Sequence, residues 1–216
     1  MIGTVLKRDV FGTVTLVESE IDGHVQHRVV RDVRDARWWA RAFAVRLADR
    51  EARALERLQD VAGVPRLLGW DGRRLERTFI VGRPMHLAAP RNAAYFRAAL
   101  KLVRRMHAAG VLHNDLAKEP NWLVDANDQP ALVDFQLAGC RARHDRWCQM
   151  LGRDDLRHLL KHKRTYCPEQ LTMRQRRMLA QPSPLSRGWR RTGKPVYRFV
   201  TRRLLGWADR EGAGDR

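Results

Sequence analysis

The chain has 216 residues and is 44% hydrophobic, enough for one generous domain or for two small lobes with a real core. A formal net charge of +18, from 42 Lys and Arg against 24 Asp and Glu, points to an anionic partner: nucleic acid, an anionic membrane face or a phosphorylated ligand. Three cysteines without metal-ligand spacing, Cys140, Cys148 and Cys167, argue against a disulfide framework or a zinc site, and no apolar run is long enough to span a membrane.

The first 35 or so residues predict strands. "DVFGTVTLVES" is rich in β-branched residues around Gly12, "HVQHRVVRDV" alternates polar and apolar, and "IDGH" between them is a hairpin signal. Residues 36–60 predict a helix, with Leu47, Ala48, Ala52, Leu55 and Leu58 recurring at helical spacing. "GVPRLLGWDGRRLERTFIVGRPM" returns to short strands broken by glycine. Residues 92–109 predict a second helix, with Phe96, Leu100, Val103 and Met106 on one face.

Next comes "GVLHNDLAKEPNWLVDANDQPALVDFQ", residues 110–136: an apolar strand, a polar loop, then a short strand pair with "DANDQP" as its turn. Beyond Asp134 the pattern is mostly helical, with "DDLRHLLKHKR" and "TMRQRRMLAQ" as the clear segments. "QPSPLSRGWRRTGKP" reads as linker and "VYRFVTRRLLGWADR" as a basic amphipathic helix. The basic excess concentrates here: residues 187–203 hold seven basic side chains and no acidic one.

The expected fold is therefore α+β and two-lobed. A small antiparallel-sheet lobe spans residues 1–85, a compact helical lobe residues 86–185 and a basic amphipathic tail residues 186–216. The start of the chain lacks a signal peptide's apolar stretch, and the unpaired cysteines suit a reducing compartment, so the expected location is cytoplasmic.

The chemistry resides in residues 110–136. Phosphoryl transfer needs a carboxylate to orient the attacking hydroxyl, oxygen ligands to hold magnesium on the phosphates, and a cation to brace the phosphate charge. Asp115 follows an apolar pair and suits the first role. Asn121 and Asp134 flank a strand–turn–strand unit and suit the second, from two sides. Lys118, between them, could reach a transferring phosphoryl group. An isolated "HND" or "VDF" is usually an ordinary polar loop or strand end; spacing and order carry the argument.

The stretch "HNDLAKEPNWLV…LVDF" resembles the catalytic loop and metal-binding strand of the protein-kinase-like superfamily, with signatures H-R-D-L-x-x-x-N and D-F-G. The 13-residue step from Asn121 to Asp134 matches that family as well. Upstream, "DVFGTVTLV" resembles the end of its glycine-rich loop, with Gly12 and Val14 in the places of the last Gly and the Val. "HRVVRDV" resembles the strand with the phosphate-binding Lys, a place taken by Arg31. "REARALERLQDV" resembles the helix with the ion-pair Glu, matched by Glu51. "RTFIVGRPM" resembles the interlobe linker, and "LKLVRRMHAAGVLHND" the long helix leading into the catalytic loop.

The resemblance implies ATP and Mg2+ between the lobes. Gly12 and Val14 would cover the nucleotide, Arg31 paired to Glu51 would hold its phosphates, and Asn121 and Asp134 would hold the metal. Asp115 and Lys118 would be catalytic.

Four departures stand out. The step from Asp115 to Asn121 is one residue longer than the pattern. "DFG" is "DFQ", with Gln136 in the glycine place. Arg31 replaces Lys. Of the glycine-rich loop only Gly12 remains.

The segment after Asp134 is similar to bacterial lipopolysaccharide core kinases, which phosphorylate heptose or Kdo sugars, in the order Arg146-Trp147, Asp155-Leu156, Leu171-Thr172. The compact build is similar to RIO-type serine/threonine kinases. These likenesses imply a hydroxyl acceptor, either a core sugar or a protein Ser/Thr. One alternative is a pseudokinase-type binding or scaffold module without turnover; another is a basic nucleic-acid-binding protein on the same fold, for which no recognition motif is present. The basic tail reads either as a helix packed on the second lobe or as an interfacial helix drawn to an anionic inner-membrane surface.

Overall fold

The computed structural model describes residues 2–21, 24–140 and 146–181. The tip of the "IDGH" turn, most of the predicted linker and the whole predicted final helix lie outside the described residues, as do the side chains of Arg146 and Trp147. The chain divides into two compact units, residues 1–170 and 171–216.

The first unit begins with three long antiparallel strands: β1 (Ile2–Asp9), β2 (Gly12–Ile21) and β3 (His24–Asp32). With β4 (Leu67–Trp70) and β5 (Arg74–Thr78) they form a five-stranded sheet in the order β1-β2-β3-β5-β4. Helix α1 (Arg41–Arg57) connects β3 to β4. It starts later than the periodicity from residue 36 predicts. Two tight turns come first, closed by Ala36 N–H to the Val33 carbonyl and Ala40 N–H to the Arg37 carbonyl. They bury Ala36 and Ala40 while keeping Arg37 in solvent.

Helix α1 is built of Ala, Arg, Leu and Glu, residues that lose little freedom in a helix. Ala44, Ala48 and Ala52, one turn apart, let it approach the sheet closely. They share a core with Val33, Ala36 and Leu75. Its last turns, through Ala54, Leu55 and Leu58, belong to a second, larger core cluster with Tyr95, Val103, Trp122 and Phe135. One helix thus reaches both cores.

A short strand, β6 (Arg83–Pro84), and the single turn α2 (Met85–Ala88) lead into α3 (Ala93–Ala108). The Asn92 side chain caps α3 by accepting from Ala94 N–H. The face predicted from periodicity is the buried one: Phe96, Val103 and Met106 lie inside with Tyr95, Ala99 and Leu102. Tyr95 satisfies its hydroxyl on the Leu123 carbonyl, and burial pushes its ionisation well above the usual tyrosine range.

Three small elements follow: β7 (Val111–Leu112), β8 (Trp122–Val124) and β9 (Pro130–Leu132). The hairpin β8–β9 pairs with β6 in one sheet, and β7 pairs with β10 (Gly139–Cys140) in another. Helix α4 (Arg146–Tyr166) follows and packs on α3. It begins well before the "DDLRHLLKHKR" segment. No described helix is long and apolar enough to cross a membrane.

In the second unit the described residues form α5 (Met173–Ala180), started by a capping box. There Gln175 N–H bonds the Thr172 hydroxyl, and Thr172 N–H bonds the Gln175 side chain.

Candidate active site

Cross-strand register places two of the predicted residues side by side. Val14 on β2 pairs with Arg31 on β3, which pairs with Leu75 on β5. Directly paired residues point to the same face of a sheet. Val29 and Arg77, one step along the ladder, share that face.

Arg31 is nearly buried and has a different partner for each guanidinium nitrogen. Its Nε lies 3.4 Å from Glu51 Oε2, its Nη1 donates to Gln136 Oε1 at 3.0 Å, and its Nη2 lies 3.9 Å from Asp134 Oδ1. Glu51 is fully buried and takes a second cation that the sequence reading missed: Arg77 Nε, 3.0 Å from Oε1. Two arginines and two carboxylates therefore balance their charges in a space where an unpaired charge would cost several kcal/mol, on the order of ~3–5.

Asp134 has φ +66°, the left-handed region. A non-glycine residue there is strained and persists only when its surroundings demand it. Gln136 sits within the short 3-10 turn Phe135–Leu137 that follows, and its φ is not positive. The glycine place of the family pattern therefore does not need a glycine here.

The second group forms on the loop after β7. Asn121 ends a 3-10 turn, Glu119–Asn121, with Pro120 inside it. Its side-chain nitrogen donates to the Asp115 carbonyl at 2.9 Å and to Asp115 Oδ2 at 3.2 Å. Lys118 Nζ lies 3.0 Å from the same Oδ2. Despite the extra residue between Asp115 and Asn121, the two side chains meet across this turn.

The β8–β9 hairpin joins the groups. Trp122 opposes Leu132, and Val133 N–H bonds the Asn121 carbonyl. Asn121 and Asp134 are thereby set at one end of the hairpin. The amide nitrogen of Asn121 is committed to Asp115, so its amide oxygen is the atom of this side chain that could serve a ligand. Asp134 Oδ1 is buried without a hydrogen bond. No cluster of three or more His, Cys, Asp or Glu exists among the described residues. A carboxylate and an amide oxygen are donors of the kind magnesium takes, its other ligands coming from phosphates and water.

Several supporting residues hold these groups in place, and their contacts are not readable from the sequence. His113 is fully buried. Its Nε2 donates to the Val133 carbonyl at 3.0 Å, and its ring packs on Phe135 at 4.7 Å. Asn114, also at positive φ, donates its side-chain nitrogen to the Leu137 carbonyl. Asp155 on α4 accepts from His107 Nε2 and from the backbone N–H of His113 and Asn114. The Leu116 carbonyl takes both Trp122 Nε1 and His162 Nε2. Burial lowers the His162 pKa from the ordinary histidine value, and its Nδ1 lies 3.7 Å from Glu119 Oε1.

At the far end, Gly12 closes the hairpin between β1 and β2. It has φ +121°, and a Cβ there would stand 2.2 Å from the Asp32 carbonyl oxygen. Only glycine fits. The hairpin is short, with Asp9 pairing Gly12 across Val10 and Phe11. Lys7 shares Val14's row and is paired with Asp9 at 3.2 Å.

A nearly buried cation on the third strand, joined to a buried helix glutamate and to an aspartate after a β-hairpin, defines a protein-kinase-like fold. A family model described as RIO domain matches residues 15–175. The chain belongs to the RIO domain family and is a RIO-type member of the protein-kinase-like superfamily. Arg31, Glu51, Arg77, Asp115, Lys118, Asn121, Asp134 and Gln136 all fall inside the matched region, and Gly12 and Val14 precede it. Among solved structures the chain is similar to the Rio2 kinase from Chaetomium thermophilum, with a TM-score of 0.57 and 16% identity. The match covers 82% of this chain and 58% of that one. A search of curated proteins finds no match.

Proposed function

We propose that this chain is an ATP-dependent phosphotransferase that moves the γ-phosphoryl group of Mg·ATP to a hydroxyl. The observation that carries the reading is the pairing of Asp115 with Asn121 at one end of the hairpin that also bears Asp134, with Arg31 reaching Asp134 from the sheet.

In this reading ATP lies between a sheet lobe, residues 1–85, and a helical lobe, residues 86–185. Gly12 keeps the covering hairpin tight, and Val14 lies over the nucleotide. Arg31, braced by Glu51, holds the phosphates. The Asn121 amide oxygen and the Asp134 carboxylate would hold Mg2+, which supplies neutralising charge on the phosphates when bound. Asp115 orients the acceptor hydroxyl; its Oδ2 is occupied by Asn121 and Lys118, leaving Oδ1 to accept the hydroxyl proton. Lys118 follows the moving phosphoryl charge. Most of the rate gain comes from positioning and fixed charge.

The acceptor class is either a bacterial lipopolysaccharide core sugar or a protein Ser/Thr. The test is magnesium-dependent ATP turnover by wild type, Asp115→Ala and Asp134→Ala, each without acceptor, with deacylated lipopolysaccharide and with a generic basic protein. Turnover lost in both variants supports the reading, and the stimulating acceptor names the branch. Turnover unchanged in Asp115→Ala would sink it.

A second reading, a nucleotide-binding scaffold without turnover, draws on the replacement of Lys by Arg31 and of Gly by Gln136. It is favoured if Mg·ATP raises the melting temperature while no turnover occurs.

The basic tail would bring the enzyme to an anionic membrane surface from the cytoplasmic side. Equal sedimentation with anionic vesicles by the full chain and by a chain lacking residues 187–216 would rule that out. Salt-sensitive binding to DNA or RNA would favour a nucleic-acid partner instead.

A further inference from the structure

Two of the four departures from the kinase-like pattern touch each other. Arg31 stands where the pattern has Lys, and Gln136, 105 residues later, where it has Gly. Arg31 Nη1 donates to Gln136 Oε1 at 3.0 Å, and Gln136 Nε2 leans on Asp134 Oδ2 at 3.4 Å. With Arg31 Nη2 at 3.9 Å from Asp134 Oδ1, the three side chains close a ring.

A lysine ammonium is a compact point charge that one carboxylate can hold. A guanidinium is a planar fork whose direction matters. Glu51 meets only the Nε of that fork. A glycine at 136 would offer nothing to the outer nitrogens, whereas the Gln136 amide fixes one of them and ties the plane to the metal-site carboxylate. Position 136 has an ordinary backbone conformation and so admits a side chain without strain.

We propose that Gln136 is a positioning residue. It orients Arg31 so that the guanidinium grips a nucleotide phosphate in place of the usual lysine, and Arg31 and Gln136 act as one unit. This rests on the reading of the cleft as a nucleotide site, and it requires binding, not turnover.

The experiment is titration of the full chain with a non-hydrolysable ATP analogue and magnesium. The proteins are wild type, Gln136→Met, Arg31→Lys and the double variant, with melting temperatures measured alongside. Methionine keeps the length of glutamine and removes both amide contacts. Each single change is expected to weaken binding about ten-fold, the size of one hydrogen bond to a charged group. The double variant is expected to bind no worse than Arg31→Lys alone, because Arg31→Lys already removes the Nη1 contact that Gln136 makes.

Losses that multiply to about a hundred-fold, as for independent sites, would overturn the proposal. So would wild-type affinity in Gln136→Met, or a wild-type chain that binds no nucleotide. Gln136→Met decides the matter alone if Arg31→Lys fails to fold. Tight binding without turnover sinks the phosphotransferase reading and leaves this one standing.

Discussion

Asp155 Oδ2 lies 3.0 Å from the backbone nitrogen of His113, two residues before the proposed base. Its other oxygen takes Asn114 N–H, and the carboxylate is almost wholly buried. Helix α4 thus holds the loop that presents Asp115. Asp155→Ala would leave the buried His113 amide, the part-buried Asn114 amide and the His107 ring without their acceptor. The expected cost is about 3 kcal/mol, at roughly 1–3 kcal/mol per unmet group with partial relaxation. Urea denaturation measures that loss. Where the variant folds, kcat falls more than KM for ATP, since the loop and not the nucleotide site is displaced.

Glu51 is the sole carboxylate among the described residues that meets both Arg31 and Arg77. Glu51→Gln keeps its shape and removes its charge, leaving two near-buried guanidinium groups opposite a neutral amide. The expected destabilisation is about 3–5 kcal/mol. Arg77→Met in the same background should recover part of it by removing one of the stranded charges. A chemical denaturation series on the two proteins checks this, and equal stability of the two would contradict it.

Gly12 and Gly72 both have positive φ, +121° and +84°, and a Cβ separates their cases. At Gly72 nothing lies within 4 Å, so Gly72→Ala pays only for backbone conformation, about 1 kcal/mol. At Gly12 the added carbon meets a backbone oxygen that cannot step aside, and β2 must separate from β3. Gly12→Ala should lose more than 2 kcal/mol. The difference between the two midpoints in one denaturant series tests it.

His158 on α4 is held at about 4 by burial, with the Lys161 charge adding to it, against an ordinary 6.5. The folded state therefore binds fewer protons than the unfolded one between these values. Stability is full above pH 6.5 and falls as the pH drops toward 4. His162 is depressed in the same direction, again first by burial. Melting temperature should decline from pH 7.5 to 5, and His158→Gln should remove about 1–2 kcal/mol of that decline. A pH profile identical to wild type would contradict the assignment.

Much of this arrangement was legible in the residues themselves. Strand alternation and helical spacing located the sheet, α3 and the β8–β9 hairpin. The order of Arg31, Glu51, Asp115, Asn121 and Asp134 predicted which side chains belong together, and the contacts of Arg31 and Asn121 join them pairwise. Arg77 was not legible, because an arginine in a short strand reads as solvent-facing until its register with β3 is known. Asp155 was noticed only as half of a dipeptide. Its task, binding amides 41 and 42 residues away, depends on how α4 packs, and packing leaves no period in the sequence. The late start of α1 has a similar origin: residues 33–40 carry helix formers, but burial of Ala36 and Ala40 is met by turns.

Across the 3-10 turn at Glu119–Asn121 the Asp115 and Asn121 side chains meet, although six positions separate them along the chain. Spacing along the chain and spacing through space are therefore different quantities in this loop. A signature written as a fixed count of letters would pass over the chain, while one written in ångströms would find it. A site of this kind is better sought by the meeting of two side chains than by the word that spells them.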